Sequence, residues 1–179
     1  MSDLKRISEI HYHYLSTKFS SALGEEGLFK LYKKLNSSPE VKILSFKSSL
    51  GISAFCSFTN DYKKTAREMA NSLSFYELFK ATLNIPTLCD IFYKKIWAFL
   101  YKNNYDIYIL AFVKVETNFS ANNMIDEIEK YALQANTKKI WVDTRTINNR
   151  AVAFYLKCGF KIISRSPFSY LLMKEITVA

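Results

Sequence analysis

The chain is poor in the residues that punctuate a fold: four glycines and three prolines in 179 residues. Glycine and proline are the strongest local breakers of regular structure, so their scarcity excludes a flexible linker. No low-complexity tract or internal repeat is visible either, and one domain over 1–179 is expected. Cysteine is scarce as well. Cys56, Cys89 and Cys158 are odd in number and widely spaced. That excludes a disulfide framework or a metal motif and suits buried thiols in a reducing compartment. No metal is expected. No charge-free apolar run reaches the roughly 18 residues needed to cross a bilayer. The nearest, Ile96 to Val113, is interrupted by Lys102, Asn103, Asn104 and Asp106. No apolar stretch follows Met1, so a secretory signal is not expected and the cytoplasm is the expected location. Like charges never run to five or six in a row, and no nucleic-acid-binding motif of a common kind is present. The net charge of +9 therefore reads in two ways: a solvated surface, or a field suited to a phosphorylated small molecule.

What is present is apolar and aromatic. Hydrophobic residues make up 49% and aromatic residues 16% of the chain, which excludes global disorder. Leu4, Ile7, Ile10, His11 and Tyr14 lie on one face of a helix over 3–17. Gly24 and Gly27 mark a turn. Leu28, Leu31, Tyr32 and Leu35 form a second helix, ended by Asn36-Ser37-Ser38-Pro39. Val41 to Phe46 and Gly51 to Phe58 read as a hairpin. Residues 60–102 lack strand alternation and read as helical, broken at Pro86. The aromatic stretch from Phe75 to Tyr101 either packs over the sheet or faces a membrane surface or partner. Asp106 to Val115 is a strand apolar enough to be buried on both faces. Asn123 to Ala135 is a helix with Met124, Ile125, Ile128, Tyr131 and Ala132 inward. A strand at 138–146, a short helix at 149–158 and strands at 160–165 and 168–176 follow. The order ααββ(αα)βαβαββ predicts a mixed α/β layer.

The most informative stretch runs from Lys138 to Ile163. A strand, Lys138-Lys139-Ile140-Trp141-Val142-Asp143-Thr144, leads to Asn148 at a helix cap position. Ala151, Phe154, Tyr155 and Cys158 then recur at helical steps of three and four. Gly159 stops the helix and Phe160-Lys161-Ile162-Ile163 begins a strand. This arrangement resembles the C-terminal half of the GCN5-related N-acetyltransferase (GNAT) superfamily. Val142-Asp143-Thr144 with Asn148, Ala151, Phe154-Tyr155, Lys157 and Gly159-Phe160 is similar to amino-sugar N-acetyltransferases of the dTDP-fucosamine type. His11 to Gly24, followed by Phe29-Lys30-Leu31-Tyr32, is similar to the opening of one acetyltransferase subgroup.

The resemblance implies a GNAT-type, mostly antiparallel sheet with one splayed parallel strand pair and helices on both faces. It implies acetyl-coenzyme A as cosubstrate and a small-molecule amine as acceptor, with a nucleotide-linked amino sugar as the finer reading. Transfer would be direct, within a ternary complex. The splayed strands would be 107–115 and 138–146, and the helical segment at about 60–102 would wall the acceptor side. The pantetheine arm would pair with the free edge near Val113, Lys114 and Val115. The pyrophosphate would meet backbone N–H groups in the loop and helix start, at Ser120, Ala121, Asn122 and Asn123. Asn148, Ala151 and Phe154 would border the cofactor. Tyr155 would be the acid that protonates the leaving thiolate; its other reading is a core aromatic. His11 is a candidate base, since imidazole titrates near neutrality, and Glu116 is another; a packed histidine and a solvated carboxylate are the alternatives. The loop 116–125 holds no glycine, whereas the family's loop carries an Arg or Gln and two small residues. One alignment puts Ser120, Asn123 and Ile125 at those positions, and an ungapped one puts Glu116, Phe119 and Ala121 there. Two competing functions follow: a non-catalytic binding or scaffold module of the same fold, and acetylation of a protein amine. A homodimer is compatible with all three.

Overall fold

The computed structural model describes residues 2–15, 18–71 and 106–176. The order is α1 (Ser2–Tyr14), α2 (Lys18–Asn36), β1 (Val41–Ser48), β2 (Gly51–Thr59), α3 (Tyr62–Asn71), β3 (Ile107–Lys114), α4 (Asn122–Gln134), β4 (Lys139–Arg145), α5 (Asn149–Lys157), β5 (Lys161–Arg165) and β6 (Ser169–Glu175). The strands form one sheet in the order β1-β2-β3-β4-β6-β5. Every neighbouring pair is antiparallel except β3 and β4. The expected mixed sheet with one parallel pair is therefore present. Of the helical stretch expected at 60–102, α3 is described; Pro86, Cys89 and the Phe75–Tyr101 aromatics lie outside the described residues.

Helices cover both faces. Alternation along β2 sends Ala54, Cys56 and Phe58 to one side and Phe55 to the other. The first side packs against Met124, Ile125, Ile128 and Ala132 of α4 and Tyr155 of α5. The second packs against Ile7 and Ile10 of α1 and Leu28, Leu31, Tyr32 and Leu35 of α2. Burying such side chains contributes about 1.5–3 kcal/mol each, which is what fixes the strand register.

Two details differ from the expected elements. Helical structure begins before Gly24 as well as after it, and Gly24 itself sits at φ 66° as a kink inside α2. Gly27 is buried within the second segment rather than in a turn. Glycine tolerates that positive φ without steric cost, so the chain bends there and resumes the helix. The second detail is a bulge on β3. Ile109 pairs with Phe58 and Ala111 with Ser57, so Leu110 is an extra residue. The consequence is a change of face. Ile107 and Ile109 bury under α4, whereas Ala111 and Val113, in the same alternation, bury under α1 and α2.

Among the described residues, no helix is long and apolar enough to cross a membrane.

Candidate active site

β3 and β4 run side by side for three pairs: Ile107 with Ile140, Tyr108 with Trp141 and Ile109 with Val142. Beyond Leu110 they separate, although β3 continues to Lys114 and β4 to Arg145. The far half of β3 keeps its other neighbour. Phe55 faces Val113, Ala54 faces Lys114, and the Val115 N–H donates to Ser53 O at 2.8 Å. In an antiparallel ladder the hydrogen-bonded pairs alternate with pairs whose N–H and C=O point away. Val113 and Val115 thus spend their backbone groups on β2, and those of Phe112 and Lys114 face the gap. Of the edge residues expected from sequence, Lys114 has the outward orientation; Phe112 was missed, because the alternation shows which residues are buried and not which edge is free.

The gap leads to the start of α4. Its N-cap is Ala121, which supplies no side-chain hydrogen bond. Asn123 and Met124 donate to Ser120 O and Ala121 O. Among the described residues, the N–H groups of Ser120, Ala121 and Asn122 have no partner. Free N–H groups at the positive end of a 13-residue helix suit a phosphate group. The two bulky residues that replace glycines in one or other alignment turn away from this end. Phe119 stacks on Phe46 at 5.1 Å, and Ile125 is buried in the core. A backbone cradle is therefore open here without glycine. Glu116 follows β3, its carboxylate accepting from the hydroxyl of Ser48 at the end of β1.

α5 has the opposite kind of start. Asn148 Oδ1 accepts from the Ala151 N–H at 3.1 Å, the capping role read from sequence. At its other end Gly159 takes φ 86°, and the Phe160 N–H returns to Tyr155 O at 3.0 Å. This left-handed cap folds Phe160 back onto Tyr155, ring centroids 5.3 Å apart. Phe112 and Phe154 complete the packing around Tyr155, at 5.8 and 5.4 Å. Its ring is buried, yet its hydroxyl makes no hydrogen bond among the described residues. Burial, with the negative charge of Asp143 adding to it, pushes this phenol far above its ordinary value and keeps it protonated. Cys158 donates weakly to Asn122 Oδ1 at 3.7 Å, linking the end of α5 to the start of α4.

His11 lies elsewhere. It packs with α2 on the other face of the sheet from α5, its Nδ1 sharing a 2.8 Å hydrogen bond with the buried Tyr32 hydroxyl. Burial lowers its pKa to about 4. His11, Glu116 and Tyr155 are thus not gathered into one cluster. Cys56 is a core thiol, pushed up by burial to about 12.

Residues 121–160, from the N-cap of α4 to Phe160, match the model of the family described as the acetyltransferase (GNAT) family. A search of curated proteins finds no match. Solved structures similar to the chain include aminoglycoside 6'-acetyltransferase type Ii, at 12% identity and a TM-score of 0.62, covering 98% of this chain and 92% of that one. Arabidopsis thaliana NAA60 in complex with acetyl-CoA is 17% identical, with a TM-score of 0.61 and coverage of 98% and 94%. The PaiA N-acetyltransferase from Thermoplasma acidophilum in complex with coenzyme A is 12% identical, with a TM-score of 0.58 and coverage of 97% and 93%. The chain has the GNAT fold. Within that fold, the splay of β3 and β4, the uncapped start of α4 and Tyr155 fall in one continuous region.

Proposed function

We propose that the protein is an acyl-coenzyme A-dependent N-acetyltransferase acting on the amine of a small molecule. The observation that carries this is the open end of the β3–β4 pair, where backbone at Phe112 and Lys114 and the N–H groups of Ser120, Ala121 and Asn122 have no partner among the described residues. Extended strand edge followed by an uncapped helix start suits an amide-bearing chain that ends in a pyrophosphate. Two of the similar structures are complexes with coenzyme A or acetyl-CoA, which supports the same cosubstrate here. A third is an aminoglycoside acetyltransferase, which supports a small-molecule acceptor. The likeness of the Val142–Phe160 motif to amino-sugar enzymes and the charge of +9 support a nucleotide-linked amino sugar as the finer identity.

The thioester supplies the activated acyl group. Phe112 and Lys114 bind its arm, and the α4 start neutralises its phosphates. The acceptor nitrogen attacks the thioester carbonyl, the C–N bond forms and the C–S bond breaks. The Tyr155 O–H gives its proton to the departing sulfur, and solvent takes the proton lost by the amine and returns one to the phenolate. A phenol that keeps its proton and makes no hydrogen bond among the described residues has that proton available to give.

A thermal-shift titration with acetyl-CoA tests the reading. Ligand at about 100 Kd should stabilise by about 2.7 kcal/mol. No shift at millimolar ligand would leave the non-catalytic module, which the carboxylate of Glu116 and the lack of glycine in 116–125 favour.

A further inference from the structure

Three turns meet at the splayed end of the sheet. β1 and β3 are both antiparallel to β2, and β4 runs parallel to β3. β5 and β4 are both antiparallel to β6. The β1–β2, β4–α5 and β5–β6 turns therefore share one end with the end of β3. Hydrogen bonds tie them to their neighbours. The hydroxyl of Ser48, at the end of β1, donates to Glu116 just after β3, and the Thr146 N–H donates to Phe168 O at 3.0 Å.

Two of these turns hold up an apolar side chain. Leu50 is 90% exposed and Ile147 79%, the two largest values among the large hydrophobic residues described. Both stand on hydrogen-bonded turns. The Leu50 N–H donates to Ser48 Oγ at 3.0 Å, and the Asn148 N–H closes the other turn on Arg145 O at 3.0 Å. Cations surround them. Arg145 ends β4, Arg150 lies in the first turn of α5 and Arg165 ends β5. All three are exposed and form no ion pair among the described residues. The carboxylates at this end are engaged: Asp3 by Lys47 at 2.7 Å, Asp143 by the Tyr108 hydroxyl at 3.3 Å and Glu116 by Ser48.

We propose that this end of the sheet rests on an anionic phospholipid surface, with Leu50 and Ile147 entering the headgroup layer and Arg145, Arg150 and Arg165 meeting the phosphates. Single apolar side chains on separate turns do not form the contiguous patch that a protein partner covers, but each can enter a soft layer by itself. A second copy would bring a second charge of +9, whereas anionic lipid attracts that charge. The chain lies on the bilayer without crossing it, and the gap between β3 and β4 opens toward the headgroups.

The test is co-sedimentation of the full chain with vesicles of phosphatidylcholine alone and of phosphatidylcholine mixed equally with phosphatidylglycerol. The mixed vesicles should bind the chain at least about tenfold more tightly than the neutral ones, and added salt should weaken the binding. Leu50→Ser and Ile147→Ser should each weaken it about tenfold. Arg145→Gln, Arg150→Gln and Arg165→Gln should each weaken it about fivefold. Leu133→Ser is the control. Leu133 is 46% exposed but lies in the last turn of α4, which starts at the splayed end, so its loss should change nothing. No binding to the mixed vesicles overturns the proposal. So does binding that Leu50→Ser and Ile147→Ser leave unchanged, which is adsorption without insertion, or a loss that Leu133→Ser matches. Tighter binding to soluble polyglutamate than to the vesicles would assign this end to an acidic protein. A dimer in light scattering that Leu50→Ser disperses would assign it to a second copy. Either result overturns the lipid assignment.

Discussion

The two ends of the β3–β4 pair are built from the same strands and serve opposite purposes. At the paired end Ile107, Ile109, Ile140 and Val142 are all at most 3% exposed and packed under α4. At the splayed end the backbone groups of Phe112 and Lys114 that face the gap have no partner among the described residues. One extra residue, Leu110, separates them. A bulge gives up ladder hydrogen bonds and turns the strand. The turn moves the support for β3 from α4 to the α1–α2 pair. Stability is concentrated at the sealed end, and chemistry is possible at the other because the strands no longer satisfy each other.

Substitutions can break this contrast. Ile140→Ala, at the sealed end, should destabilise the fold by about 2–5 kcal/mol, seen as a lower chemical-denaturation midpoint. The stabilisation added by acetyl-CoA should persist. A loss of ligand response as large as the loss of stability would mean that the two ends are not separable.

Acid should act on the support of the splayed end. Burial holds His11 near pKa 4 against an ordinary 6.5, so between those values the unfolded chain binds more protons than the folded one. Stability then falls as pH drops from about 6.5 to 4, by no more than about 3 kcal/mol. Amide exchange at 111–113 should rise before that at 107–109, and His11→Gln should reduce the difference. Equal rises along β3 would contradict the division of support between the two faces.

Tyr155→Phe should do the reverse of Ile140→Ala. Turnover should fall about 10²-fold, while stability changes by less than about 0.5 kcal/mol, since the hydroxyl bonds no described group. Unchanged turnover with chemistry rate-limiting would make Tyr155 a core aromatic only. The smallest effect is expected at Asn148→Ala, about 1 kcal/mol from the lost cap. A much larger fall in coenzyme A affinity than in stability would show that Asn148 also touches the cosubstrate.

Much of this was legible from local pattern. Asn148, Gly159 and the Ala151–Cys158 stripe specify α5 because capping, a left-handed stop and helical spacing act within a dozen residues. The inward face of α4 was read correctly at Met124, Ile125, Ile128 and Ala132 for the same reason. The kink at Gly24 was less legible, since a glycine that ends a helix and one that bends it look alike in sequence. The bulge at Leu110 left no signal: Ile107, Ile109, Ala111 and Val113 alternate without a break.

The sequence by itself determined the order of the described elements and the capped α5, both governed by contacts between residues near in the chain, while the role of Tyr155 came from the resemblance. Only the tertiary structure decided where β3 leaves β4, which backbone groups that leaves free, that Phe119 and Ile125 turn away from the start of α4, and that His11 is sequestered behind the sheet. Those depend on the register between strands, and a one-residue change in register redirects every side chain beyond it.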